Sequence, residues 1–347
     1  MTRQKRRLRL LLRLAIVLLF VLVAHLDFAH AKLAEPPELP ESFRSEWQVT
    51  RIMPVFVEDA RYAVLQLSTK LDEYEAINRD MRYGVLVTKR IRGAGAVTHY
   101  FQSGFWCFAG KELKYRTDFE GKVISAFLEV DWGTGGNAYG TSRCDVLELS
   151  SGGVRSLLDM VKAAGFHGNI EKLVFIDSKH GYPDILLNDD SFYTVADELL
   201  PVSSERWNFP TFPRILRIEG LRLCDVTPKI SDYYKRRLVQ TAEGGGYVGA
   251  RYGDPLDSRF ELTVPYCEPR QFSDVGEHEY LCYAISVLAT YYSIGWKEEG
   301  VKRFEELVSS RAWDYPFQYA AYPRYPDMEA VAAQCIKAVE EVFAGRT

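Results

Sequence analysis

The hydrophobic period of this 347-residue chain changes at Thr227-Pro228, and that change restricts it to a sheet-rich part followed by a helical part. Upstream, short runs rich in β-branched and aromatic residues cover 62–67, 83–88, 123–130 and 173–176. Between them stand Gly93-Ala-Gly95, Gly133-Thr-Gly-Gly-Asn137 and Asn188-Asp-Asp190. Such clusters read as turns, so the strands pair as antiparallel hairpins, and Asp189 and Asp190 are expected in a turn. Residues 151–166 are ambiguous: Val154, Leu157, Leu158, Val161 and Ala164 fit a helical stripe that Gly165 could end.

Downstream the apolar residues recur every three or four positions. Ile230, Tyr233, Tyr234 and Leu238 predict a first helix, halted at Gly244. Leu281, Ala284, Ile285, Leu288 and Tyr292 predict a second, opened by Asp274 with Glu277 three residues later and closed at Gly295. Val301, Phe304 and Val308 predict a third, and Met328, Val331, Cys335, Val339 and Phe343 a fourth. The expected class is α+β, with a β-rich domain over 49–226 and a mainly helical domain over 227–347.

Residues 1–31 belong to neither. Arg3, Lys5, Arg6, Arg7, Arg9 and Arg13 form a basic stretch, followed by an uncharged apolar core of 11 residues over 14–24. Ala29 and Ala31 then supply small residues at a cleavage site, which is the order of a secretory signal peptide. An uncleaved membrane anchor is the alternative, but a spanning helix needs about 20 apolar residues, and His25 and Asp27 cut this run short. The chain is therefore expected in a periplasm or secreted, touching membrane only through this segment if it stays uncleaved. Residues 32–48, with Pro36, Pro37 and Pro40, read as an extended tether.

Without residues 1–31 the chain keeps 37 of its 43 basic and 46 of its 47 acidic residues, a net charge of −9. An acidic surface repels phosphate backbones, which excludes nucleic acid as the expected partner. All six cysteines lie beyond residue 31, and an oxidising compartment permits up to three disulfides. No C-x-x-C occurs, and His99, His167, His180 and His278 are too scattered to suggest a zinc site.

The most informative stretch is Phe175-Ile-Asp-Ser-Lys-His-Gly-Tyr-Pro-Asp-Ile-Leu-Leu187. Asp177, Gly181, Tyr182, Pro183 and Asp184 with the apolar residues after them resemble an FG-GAP or VCBS-type repeat over 171–188. The resemblance implies a loop between two strands of a propeller blade, often wrapped around calcium. Segments 214–226 and 133–139 look like further hairpin pieces of such proteins. The loop is one residue short, and Lys179 and His180 stand where oxygen ligands belong. Calcium takes six to eight hard oxygens, so Asp177 and Asp184 are expected instead to cap the turn, or to pair with Lys179. No cofactor is expected.

Other patterns are weaker. Gly133–Asn137 lacks the Gly-Lys-[Ser/Thr] and following helix of a phosphate loop and reads as a hairpin. His278 and Cys282 share a helix face, which suits a nucleophile pair, although a Cys on an apolar stripe ordinarily packs. The stretch 288–307 looks faintly like one tetratricopeptide hairpin, and an ordinary helix pair is the plainer reading. Trp313, Tyr315, Phe317, Tyr319, Tyr322 and Tyr325 alternate with prolines, a composition suited to a rigid recognition surface for protein or glycan, or to packing. Together these features predict an exported, non-enzymatic interaction or structural protein of a bacterial envelope, with a hydrolase acting on glycan or peptide as the alternative.

Overall fold

A computed structural model describes residues 39–70, 82–91, 95–118, 120–133, 142–174, 176, 182–192, 210–220, 222–247, 262, 277–310 and 328–344. The fold is α+β, with antiparallel sheets in the N-terminal part and helices in the C-terminal part. Its contacts divide the chain into two compact units, one over 1–56 and 60–103, the other over 57–59 and 104–347. The change of period at Thr227 therefore marks where strands give way to helices without marking where one compact unit ends.

In the first unit a single helical turn, α1 (Glu41–Arg44), leads into β1 (Trp47–Val57), β2 (Ala60–Thr69), β3 (Tyr83–Ile91) and β4 (Gly95–Gly104), paired in that order. The β2–β3 register runs from Tyr62 opposite Lys89 to Ser68 opposite Tyr83. Trp47, Leu65, Leu67 and Leu86 form a buried cluster, and Leu39 and Phe43 pack on it. Residues 39–48, expected as tether, thus include a helical turn and a strand start, because Phe43 and Trp47 have apolar surface to bury.

In the second unit β5 (Trp106–Ala109) and β6 (Lys114–Thr117) share one edge of β7 (Val123–Gly133), end to end. Beyond β7 come β8 (Ser142–Ser150) and β9 (Gly153–Ser156). The β7–β8 pairing closes at Gly133 opposite Ser142, so a strand follows the glycine-rich stretch, and 134–141 lie outside the described residues. The ambiguous stretch 151–166 holds both a strand and a helix: α2 (Leu157–Ala163) follows β9, where Val154 pairs with Leu149. Leu149, itself buried, offers Val154 a strand partner that outweighs the helical spacing.

A third meander follows: β10 (Asn169–Val174), β11 (Asp184–Asp189), β12 (Phe212–Glu219) and β13 (Arg222–Asp225). Asp189, expected in a turn, ends β11 and is fully buried; the reason lies in its partners, described below. Gly168 enters this sheet at φ +111°, where an added Cβ would meet the carbonyl oxygen of Asn188 at 1.9 Å, so only glycine fits.

After a 3-10 turn at Thr227–Lys229 come α3 (Asp232–Glu243), α4 (Glu277–Ser293), α5 (Lys297–Ser309) and α6 (Met328–Ala344). Gly244 caps α3, and Gly295, at φ +86°, turns the chain between α4 and α5. Leu186, Phe212 and Ile215 of the third sheet share one core with Leu281, Ala284, Ile285 and Leu288 of α4 and Phe304 of α5. The helices and the third sheet are therefore one packed body. Cys282 lies in that core, fully buried. No helix among the described residues is long and apolar enough to cross a membrane.

The disulfides that composition permits do not form among the described cysteines: Cys107, Cys144, Cys224, Cys282 and Cys335 are thiols. For the nearest pair in the second sheet the register gives the reason. Cys107 lies opposite Trp132 and Cys144 opposite Asp131, so β7 separates them and their side chains leave on opposite faces.

Candidate functional site

The loop that resembles an FG-GAP repeat joins β10 to β11, whose register opens at Val174 opposite Asp184. Of its residues Asp177, Lys179, His180 and Gly181 lie outside the described residues, while Tyr182, Pro183 and Asp184 are described. Asp184 is 2% exposed. Its Oδ1 accepts from Nε of Arg217 at 2.8 Å, and its Oδ2 from Nη2 at 2.9 Å. The expectation was a turn cap or a pairing with Lys179; the observed partner is a bidentate guanidinium on the neighbouring strand. Such a fork satisfies both carboxylate oxygens with matched geometry.

Tyr182, two residues earlier, is planted on the second sheet. Its hydroxyl donates to Oε1 of Glu148 at 2.7 Å, its ring lies beneath the Arg116 guanidinium at 3.8 Å, and Phe127 meets it edge-on. Glu148 is buried and also accepts from Nε of Arg155 at 2.9 Å and from its Nη2. Burial, and then Glu148, push the Tyr182 hydroxyl above its ordinary pKa. The cation over the ring works in the opposite sense. On the same sheet face Lys114 pairs with Glu129 at 3.3 Å.

A second network lies inside the third sheet. Arg214, 3% exposed at its side chain, donates from Nε to Asp189 Oδ2 and from Nη1 to Asp225 Oδ2, both at 2.5 Å. Phe212 and Phe343 stack within 5 Å of its guanidinium carbon. Asp189 Oδ1 accepts from the backbone N–H and the hydroxyl of Ser191, and Asp225 Oδ1 from those of Thr227. Two carboxylates around one guanidinium account for the burial of Asp189, since a buried charge persists only when paired.

A third buried carboxylate, Asp145 on β8, accepts from the Ser156 hydroxyl at 2.7 Å and from the Leu158 N–H at 3.0 Å. It thereby helps cap α2, whose N-cap is Ser156. Burial nevertheless pushes its pKa up to about 6, against the lowering effect of these hydrogen bonds.

These carboxylates are engaged in holding elements together. None of Glu148, Arg155, Arg214 or Arg217 was singled out in the sequence. The available signal was charge inside apolar strands, as in Arg214-Ile-Leu-Arg217. No group of three or more His, Cys, Asp or Glu side chains that could hold a metal occurs among the described residues. The expected recognition surface at Trp313, Tyr315, Phe317, Tyr319 and Tyr322 and the cleavage residues Ala29 and Ala31 lie outside the described residues.

The described surface carries a different feature. In the first unit β4 ends the strand order, so one of its edges pairs with no strand among the described residues. Its sequence, Gly-Ala-Val-Thr-His-Tyr-Phe-Gln-Ser-Gly, contains neither Lys, Arg, Asp, Glu nor Pro. Edge strands are ordinarily blunted by charge or proline. Val97 and Phe101 on this strand are 40% and 37% exposed, and Ile52 and Phe56 on β1 are exposed as well. Phe101 is held in place by Phe43 and Trp47, at ring-centroid distances of 4.9 and 5.5 Å.

Comparison of the chain with family models, with curated proteins and with solved structures returned no match.

Proposed function

We propose that the chain is an exported, non-enzymatic interaction or structural protein of a bacterial envelope. The observation that carries this reading is β4: an uncharged strand at the end of its sheet's strand order, with exposed Val97 and Phe101, offers apolar side chains to a partner. Export rests on the basic stretch, apolar core and small residues of 1–31. The buried carboxylates support the same reading, because Asp184, Asp189 and Glu148 are each held by an arginine. Two of the three antiparallel sheets, β1–β4 and β10–β13, are runs of four strands paired in order, which suits the blade-like units that the resemblance implies. In that reading Arg217 supplies to Asp184 the positive charge that calcium supplies in such loops, and no cofactor is required.

In-cell cross-linking of the tagged chain, followed by recovery from the envelope fraction, tests this. A reproducible partner species is expected, diminished by Val97→Lys or by joint replacement of Trp313 and Tyr315 with Ala. Recovery of uncross-linked monomer alone, together with turnover of a glycan or peptide substrate, would replace the reading with a hydrolase.

A further inference from the structure

We infer that the outer face of α3 docks the chain on an anionic phospholipid surface, independently of residues 1–31. The inference rests on the envelope reading above, which brings a membrane within reach, and it names the partner of a second surface.

Charge singles this face out. Between Thr227 and Ala242 stand four basic residues, Lys229, Lys235, Arg236 and Arg237, against one acidic residue, Asp232. The chain beyond residue 31 has a net charge of −9, so this segment has the opposite sign to the molecule that bears it. Lys229 and Arg236 are exposed, and Lys229, Lys235 and Arg236 form no ion pair among the described residues. By contrast Lys114, Arg155, Arg217 and Arg303 each pair with a carboxylate. Neighbouring cations without carboxylate partners are complementary to a layer of lipid phosphates. The acidic remainder opposes this little, because screening confines exposed charges to about 8 Å at physiological ionic strength.

The helix sets the geometry. Leu238, Val239 and Ala242 are buried in the core shared with α4, which fixes the inner face. Tyr233, Arg236, Arg237 and Gln240 recur at i, i+3, i+4 and i+7, so they share the outer face. There Arg237 Nη1 donates to Gln240 Oε1 at 3.4 Å. Tyr234 meets the Tyr233 ring edge-on at a centroid distance of 5.2 Å. Tyr233 is 66% exposed, against 55% for Phe56. An aromatic ring with a polar tip, flanked by guanidinium groups, suits the membrane interface: the ring sits at headgroup level and the cations meet phosphate. In an envelope the phosphate layer at hand is that of the bilayer.

The test is acetylation footprinting of the full chain, read by mass spectrometry at Lys229, Lys235 and Lys337. It is run with phosphatidylglycerol vesicles, with phosphatidylcholine vesicles and without vesicles. Lys337 is exposed on α6, outside the patch, and serves as the reference. Phosphatidylglycerol vesicles are expected to slow Lys229 and Lys235 several-fold relative to Lys337, and phosphatidylcholine vesicles to slow neither. In Arg236→Glu the lipid concentration that half-protects Lys229 should rise roughly 30-fold, since two unit charges change near the surface. Tyr233→Ser should raise it as well, and thermal unfolding confirms that each variant keeps its fold. Residues 1–31 are common to wild type and variants, so lipid binding through them alone would not distinguish the chains. Unchanged rates at Lys229 and Lys235 on phosphatidylglycerol vesicles, or equal protection in wild type and Arg236→Glu, would overturn the inference. Slowing by soluble polyphosphate without slowing by vesicles would overturn it too, by making the face a site for polyanions in solution. If the footprint fails while cross-linking still captures an envelope protein, the docking inference alone falls. If both fail, the envelope reading falls with it.

Discussion

Asp145 illustrates how a single buried group ties stability to pH. Desolvation raises its pKa in the folded chain to about 6, above the ordinary 3.8. A raised folded-state pKa means that the native state holds its proton more tightly than the unfolded chain does. The stabilising contribution is thus complete below about pH 3.8 and is lost as pH rises through 6. Two pKa units correspond to roughly 2–3 kcal/mol. Asp145→Asn keeps an oxygen for the Leu158 N–H and gains a donor toward Ser156. Urea unfolding at pH 3 and pH 7.5 should therefore find the variant equal to wild type at the acid end and more stable by roughly 1–3 kcal/mol at the neutral end. A constant difference across pH would show that Asp145 does not titrate in this range.

Among elements, the approach of α4 and α5 depends on Gly300. A Cβ placed there would stand 2.6 Å from Cβ of Tyr291, which is itself hydrogen-bonded through its hydroxyl to Glu243. Arg303 on α5 reaches the same Glu243 oxygen at 3.0 Å, tying α3, α4 and α5 together. Alanine has the better helix propensity by about 1 kcal/mol, yet overpacking costs about 1–3 kcal/mol. Gly300→Ala should lower the melting temperature, and a rise would show that the helix pair can separate without loss. The same elements show what spacing reveals. The period of three to four over 281–308 places both helices, and Gly295 the turn between them. Val154 has the same kind of spacing and lies on a strand, because its cross-strand partner Leu149 is remote from the residues that define a helical stripe.

For the whole molecule, cysteine geometry makes a prediction that composition could not. Six cysteines permit three bridges in an oxidising compartment, yet Cys107, Cys144, Cys224, Cys282 and Cys335 are thiols. Burial pushes the Cys335 thiol up to about 12, which leaves it almost wholly protonated and unreactive. Alkylation of the chain without reductant should leave Cys107, Cys282 and Cys335 unlabelled while it is folded, and should label all five once it is denatured. Labelling that appears only after reduction would mean that the compartment forms bridges absent from this fold. The sequence alone determined the α+β order, the helices after Thr227 and the hairpin nature of 214–226, because hydrophobic period and turn residues are local properties of the chain. Only tertiary structure decided that Asp184 answers to Arg217, that Asp189 and Asp225 share Arg214, that Tyr182 reaches Glu148, and that β4 stands at an edge. Each depends on which strands become neighbours, and strand neighbours are chosen by long-range burial that no local pattern records.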